Sequence, residues 1–202
     1  MLGSEASKTR SLGQWLGSKT RRAARDEDGA TAVEFGLVIV PFLMFLIGSM
    51  SVCLYYFTST SIEEAVWKAS RDMRTGQFQQ GLGPYASLTG NALKAAFKQT
   101  LCNNMPTFID CTASVRVLVQ STTTDFRSAS IVAPQCVDNT GALVTDTAAY
   151  TNFSAGGTGA TVLITACVAW QFGGHLTFLS LGNMPDGSRL IQASFALNVE
   201  PY

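Results

Sequence analysis

Histidine is all but missing from this chain, with His175 its sole representative. Charge is scarce as well. Asp, Glu, Lys and Arg make up 14% of the residues, against about 25% in a typical soluble protein. The 14 basic and 14 acidic side chains cancel. A charge-poor, balanced surface lacks the basic footprint that nucleic acid requires, so no nucleic-acid partner is expected. The five cysteines include no C-x-x-C pair, which leaves no zinc-ligand spacing, and no metal is expected. "FSAGGTGATV" is glycine-rich, but it has neither a Walker lysine nor the dinucleotide spacing, and it precedes a strand pattern. A catalytic constellation needs a nucleophile, a base and an orienting group. The chain offers little from which to build one, so the expectation is a non-enzyme without cofactor. His175, in "FGGHLTF", reads as a loop or packing histidine.

The longest absence is local. No residue from 35 to 62 carries a charge. The apolar stretch 35–57 would form a helix about 34 Å long, enough to span a bilayer. A buried core helix is the competing reading, but such helices are usually shorter and amphipathic. A cleaved secretory signal is another, yet this apolar region is long for one and ends without an A-x-A site. The flanks set the orientation. Lys8, Arg10, Lys19, Arg21, Arg22 and Arg25 precede the span, and Glu63 and Glu64 follow it. The positive-inside rule then keeps the amino-terminal arm in the cytoplasm and sends the remainder outward, into the periplasm of a bacterium.

About 200 residues suggest one main folded domain with attachments. Four segments follow from the pattern: a basic, polar leader over 1–29, without periodicity; a transmembrane helix over 30–58; an amphipathic stalk helix over 59–77; and an exported head over 78–202. In "SIEEAVWKASRDMRTGQ", Ile62, Ala65, Val66, Ala69 and Met73 share one face. Glu64 and Lys68, and then Lys68 and Asp72, are spaced as i,i+4 pairs, and Gly76 is a plausible stop. "SLTGNALKAAFKQTLC" aligns Leu93, Ala96, Phe97 and Leu101 as a second helix. Alternation then predicts strands over 113–120 and 190–199, and the longer apolar, β-branched run "GATVLITACVAWQF" predicts one over 160–171, with the tract 138–159 a long loop and "SLGNMPDGS" a turn. The fold expected is α+β: a long helix leading into a head with a short helix and an antiparallel sheet.

Cys53 lies within the span and reads as an inert membrane thiol. Cys102, Cys111, Cys136 and Cys167 all fall on the exported side, and four such cysteines allow three pairings. Cys102 and Cys111 flank the turn-rich "NNMPTFID", which makes them the most economical pair. Pro41 removes a backbone hydrogen bond inside the span. It is either a membrane proline that neighbouring helices compensate or a weak point that lets the helix bend.

Glu34 is the residue out of place. A carboxylate costs about 2.5–3.5 kcal/mol at the bilayer centre and less near the interface. It is the fifth residue after Gly29, at the start of the apolar helix and behind the basic arm. That arrangement resembles the processing site of type IV pilin precursors, where a membrane peptidase cuts after the glycine. The resemblance implies a cut between Gly29 and Ala30. The new ammonium of one subunit could then pair with Glu34 of its neighbour, which would relieve desolvation and fix the stagger of the helices. A generic signal anchor whose Glu34 snorkels to the interface is the plainer alternative.

"GATAVEFGLVIVPFLMFLIGSMSVCLYYFTSTSIEEAVWKASRDMRTGQ" resembles the TadE-like family of the tight-adherence (Tad, or Flp) pilus system. The likeness lies in the small residues before the Glu34–Phe35 pair, the proline that follows, "FLMFLIG", and "EEAVWKASRDMRTGQ". It is strong over 29–77 and weaker over 160–202, where "ASFALNVEPY" resembles the family's closing strand. Two departures stand out. Many relatives carry a second acid inside the span where this chain has Ser51, and Val199 replaces an asparagine of the terminal motif. The resemblance implies a pilin-like minor pilin or pseudopilin in the bacterial inner membrane, with its head in the periplasm and possible incorporation into the pilus. It implies assembly roles for Glu34 and Phe35. It also implies contacts with membrane lipid, TadF-like minor pilins, the major Flp pilin, the inner-membrane assembly platform and a prepilin peptidase. An unprocessed, membrane-anchored periplasmic binding module that touches the secretion machinery is the alternative.

Overall fold

The computed structural model describes residues 27–123, 134–174 and 181–202. It divides into two compact units, one ending at Val52 and one spanning Cys53–Tyr202. A single helix, α1 (Glu27–Arg74), supplies the first unit and opens the second. It is already helical at Glu27, ahead of the apolar run, and continues through Pro41.

In the second unit α1 is followed by α2 (Gln77–Gln80), a 3-10 turn at Gly83–Tyr85, α3 (Gly90–Cys102) and the short α4 (Cys111–Ser114). Strand β1 (Val115–Thr122), helix α5 (Asp146–Thr151), β2 (Thr161–Trp170), a 3-10 turn at Gln171–Gly174 and β3 (Arg189–Asn198) complete the order. The sheet is an antiparallel meander, β1-β2-β3. Val117 lies opposite Ala166, and Ala166 opposite Ala193. The head is thus α+β, as the alternation predicts, and each strand falls within a few residues of its expected place.

One face of the sheet carries Val115, Val117, Val119, Val162, Ile164, Ala166, Val168, Ile191, Ala193 and Leu197. The stripe of α1 (Ile62, Ala65, Val66, Ala69, Met73) shares that core with Phe97 and Leu101 of α3 and with Phe78 and Tyr85. Burying each large side chain stabilises by about 1.5–3 kcal/mol before ordering entropy is subtracted. The stretch after the membrane-length segment is therefore the central helix of the head. The opposite sheet face has a smaller cluster, in which Leu118 and Cys167 meet Cys136 and Ala149, with Leu143 and Leu190 at its edge. Cover on both faces explains why β2 is apolar almost throughout instead of alternating.

Two expectations need correction. The tract 138–159 is not wholly loop, because it contains α5. Thr145 caps that helix, its hydroxyl accepting from the Ala148 N–H at 3.2 Å, and Asp146 sits in its first turn. Lys68 pairs with Glu64 at 2.7 Å, but Asp72 faces inward and accepts the Tyr85 hydroxyl at 2.6 Å. Burial, and then the Asp72 carboxylate, push the Tyr85 phenol upward.

The disulfides are Cys102–Cys111 and Cys136–Cys167, with Cα atoms 5.9 and 5.5 Å apart. The first closes a short local loop. The second ties the 134–151 segment to the centre of β2, and both suit an oxidising compartment. Non-reducing peptide mapping should recover these two pairs and leave the exposed Cys53 alkylatable. Recovery of Cys102 linked to Cys136 would contradict the fold.

Candidate functional site

The described residues contain one helix long and apolar enough to cross a membrane, Thr31–Arg74. Its amino-terminal part displays large apolar side chains outward: Val33, Phe35, Leu37, Val38, Phe42, Phe45 and Met50 are all exposed. Water would penalise such a surface heavily, whereas a bilayer or a bundle of like helices would accept it. Ser49 and Ser51 satisfy their hydroxyls within the helix, donating to the carbonyls of Leu46 at 2.9 Å and Ile47 at 2.7 Å. A β-carbon added at Gly36 or Gly48 would meet nothing within 4 Å, so no contact inside the chain calls for either glycine.

Gly29 and Ala30 lie within α1, so the peptide bond between them is helical. Glycine there weakens the helix by about 1 kcal/mol relative to alanine. Glu34 and Phe35 stand one turn further along, both exposed. Pro41 lies within the helix without ending it. Among the described residues the free thiol is Cys53, which is exposed. His175 lies outside the described residues.

Two stretches far apart in the sequence meet at the carboxyl end of α1, a juxtaposition not legible in either alone. The Glu200 N–H donates to the Arg74 carbonyl at 2.9 Å, and the Arg74 Nε reaches the Glu200 carboxylate at 2.8 Å. Gly76 has φ +75°, and any β-carbon there would fall on the ring of Tyr202. A residue with positive φ and no side chain is therefore required at this point. The Val199 N–H bonds the Ala160 carbonyl at 2.9 Å, and the Gly159 N–H bonds the Val199 carbonyl at 3.0 Å. Val199 itself is buried. The "NVEPY" segment is thus a strap across the helix end, and the buried Val199 adds to the core.

A second feature missed in the sequence is a buried cation. Lys98 of α3 is 7% exposed, and its ammonium contacts both Asp146 oxygens at 2.9 and 3.0 Å. The Arg116 Nε lies 3.6 Å from the same carboxylate and donates to the Val144 carbonyl at 2.7 Å. These contacts join α3, β1 and α5. The only advance signal was a lysine, one of two in α3, directly after Phe97 of its apolar face.

Residues 29–71 match the family described as TadE-like protein. The match begins at Gly29, includes the Glu34–Phe35 pair and Pro41, and runs along α1 to within one turn of its end. No curated protein and no solved structure matches the chain.

Proposed function

We propose that this TadE-like segment makes the chain a minor pilin or pseudopilin-type subunit, one that helps initiate or cap a Tad pilus. It is held in the bacterial inner membrane by the first part of α1, with the head in the periplasm. It acts structurally and not as an enzyme. The observation that carries the reading is the order of features within residues 29–71: a glycine just before the apolar run, a carboxylate five residues on, and an outward-facing apolar surface after it. Cleavage at Gly29–Ala30 would place an ammonium beside Glu34, since residues four apart are neighbours on a helix. Packing against other pilins or the assembly platform would desolvate that carboxylate and make a cationic partner necessary. The low helix propensity of Gly29 eases the local unwinding that a peptidase needs.

Amino-terminal sequencing of membrane-extracted protein tests this directly. Ala30 is the expected first residue, and Gly29→Leu should leave the leader attached, because the peptidase must approach the backbone closely. Met1 at the start of protein from functional pili would refute processing and favour an anchored module that contacts the secretion machinery uncut.

A further inference from the structure

We infer that an aromatic-walled groove on the head is seated in the lipid interface of the membrane that α1 crosses. The groove is lined by Leu54, Thr58, Phe108, Trp170 and Phe172. No lining side chain is charged, and the hydroxyl of Thr58 is turned back to the Leu54 carbonyl at 2.7 Å. Phe108 and Phe172 come from separate loops, contact each other edge to face at 6.4 Å, and are both about half exposed. Trp170 packs on Tyr55 and Phe172. It is 4% exposed, and its indole N–H has no acceptor among the described residues. A buried donor without a partner is costly, so the site calls for an acceptor that the described residues of the head do not supply.

The occupant follows from register. A span that starts beyond Glu34 needs about 20 residues to cross the hydrocarbon, which brings its far boundary near Leu54. Leu54 and Thr58, one wall of the groove, thus belong to the last turns of the uncharged run itself. The other wall must lie at the level where acyl chains give way to ester carbonyls and headgroups. Tryptophan and tyrosine favour that level because the ring is apolar and the N–H or O–H meets a polar layer. Tyr55, Tyr56 and Trp170 supply such rings, and the Arg189 guanidinium lies 5.1 Å from the Tyr55 ring centroid, placing a cation beside them. Acyl chains would fill the groove, and lipid ester oxygens would offer the acceptor that the Trp170 N–H lacks. The inference rests on the anchored reading proposed above.

Depth-dependent quenching in the full-length protein tests both ideas separately. The protein is reconstituted in phosphatidylcholine–phosphatidylglycerol vesicles whose lipids carry bromines either near the carbonyl end or deep in the chain. With Trp15 and Trp67 replaced by phenylalanine, Trp170 should lose emission mainly to the shallow bromines, and Phe172→Asp should reduce that loss. In a second protein, with all three tryptophans replaced, Leu43→Trp reports on the middle of the span and should be quenched mainly by the deep bromines. Deep quenching at position 43 with none at Trp170 would mean that protein, from a second copy or a partner subunit, covers the groove, and would overturn the inference while the anchor stands. Absence of quenching at position 43 would overturn the anchor and the inference together.

Discussion

Glu34→Ala should leave the protein fully in the membrane fraction yet exclude it from pilus assembly. Removing the carboxylate eases insertion, since a charge in the bilayer opposes it by up to about 3 kcal/mol and less near the interface. On the proposed function, what is lost is the pairing between this carboxylate and the ammonium that cleavage would expose on a neighbouring subunit. Two helices with smooth apolar faces can slide along one another, and a single buried ion pair is the kind of device that fixes one stagger. The large expected effect is therefore on piliation and on co-purification with partner subunits, not on abundance. Glu34→Gln separates charge from shape: it keeps the size of the side chain and should fail like alanine. Carbonate extraction measures insertion, and counting pili by microscopy measures assembly. Normal piliation in both variants would return Glu34 to the role of a tolerated interfacial acid.

The second large effect is expected inside the head. Asp146→Ala should destabilise it by about 3 kcal/mol, because it leaves the Lys98 ammonium buried without its carboxylate. Lys98→Met should cost much less. Methionine has a similar length and no charge to solvate, and Asp146 keeps Arg116 at 3.6 Å and its place at the start of α5. The asymmetry is the test, since a simple loss of one contact would make the two variants equal. In micelles, urea unfolding should show the Asp146→Ala midpoint lowered by roughly 1–2 M, taking a slope of about 2 kcal/mol per M. Equal midpoints would show that Lys98 reaches water when its partner is gone.

The elements that the sequence made legible are those whose stabilising contacts repeat. The strands alternate because each places every second residue in one core, and Ile62 to Met73 recur at helical spacing because one face of α1 meets that sheet. The helix α5 escaped because six residues show no period. Its only mark was Thr145 followed by Asp146, a cap signal easily absorbed into a Thr- and Ala-rich tract. Cys102 and Cys111 could be paired on economy, since little chain separates them, whereas Cys136 and Cys167 depend on which segment covers the outer sheet face. The Lys98–Asp146 pair and the Arg74–Glu200 strap join residues distant in sequence, and no local rule reports such contacts. At the amino-terminal end the situation is reversed. Gly29, Glu34 and Phe35 were singled out from order and chemistry alone, and the fold adds only that the bond after Gly29 is helical.

The meander leaves the middle of the core waiting for its final piece. The apolar stripe of α1 is the first part of the head to be made, while β3, which adds Ile191, Ala193 and Leu197 to the same core, is made after every other strand. Until then the stripe is incompletely covered and the contacts that will close over it are non-local, a combination that slows folding and invites misassociation. Cys102 and Cys111 can join early, within a loop of their own, whereas Cys136 has no native partner until β2 arrives. Synthesis from the amino terminus thus sets the order of oxidation, and a stalled chain lacking β3 would be a target for proteolysis.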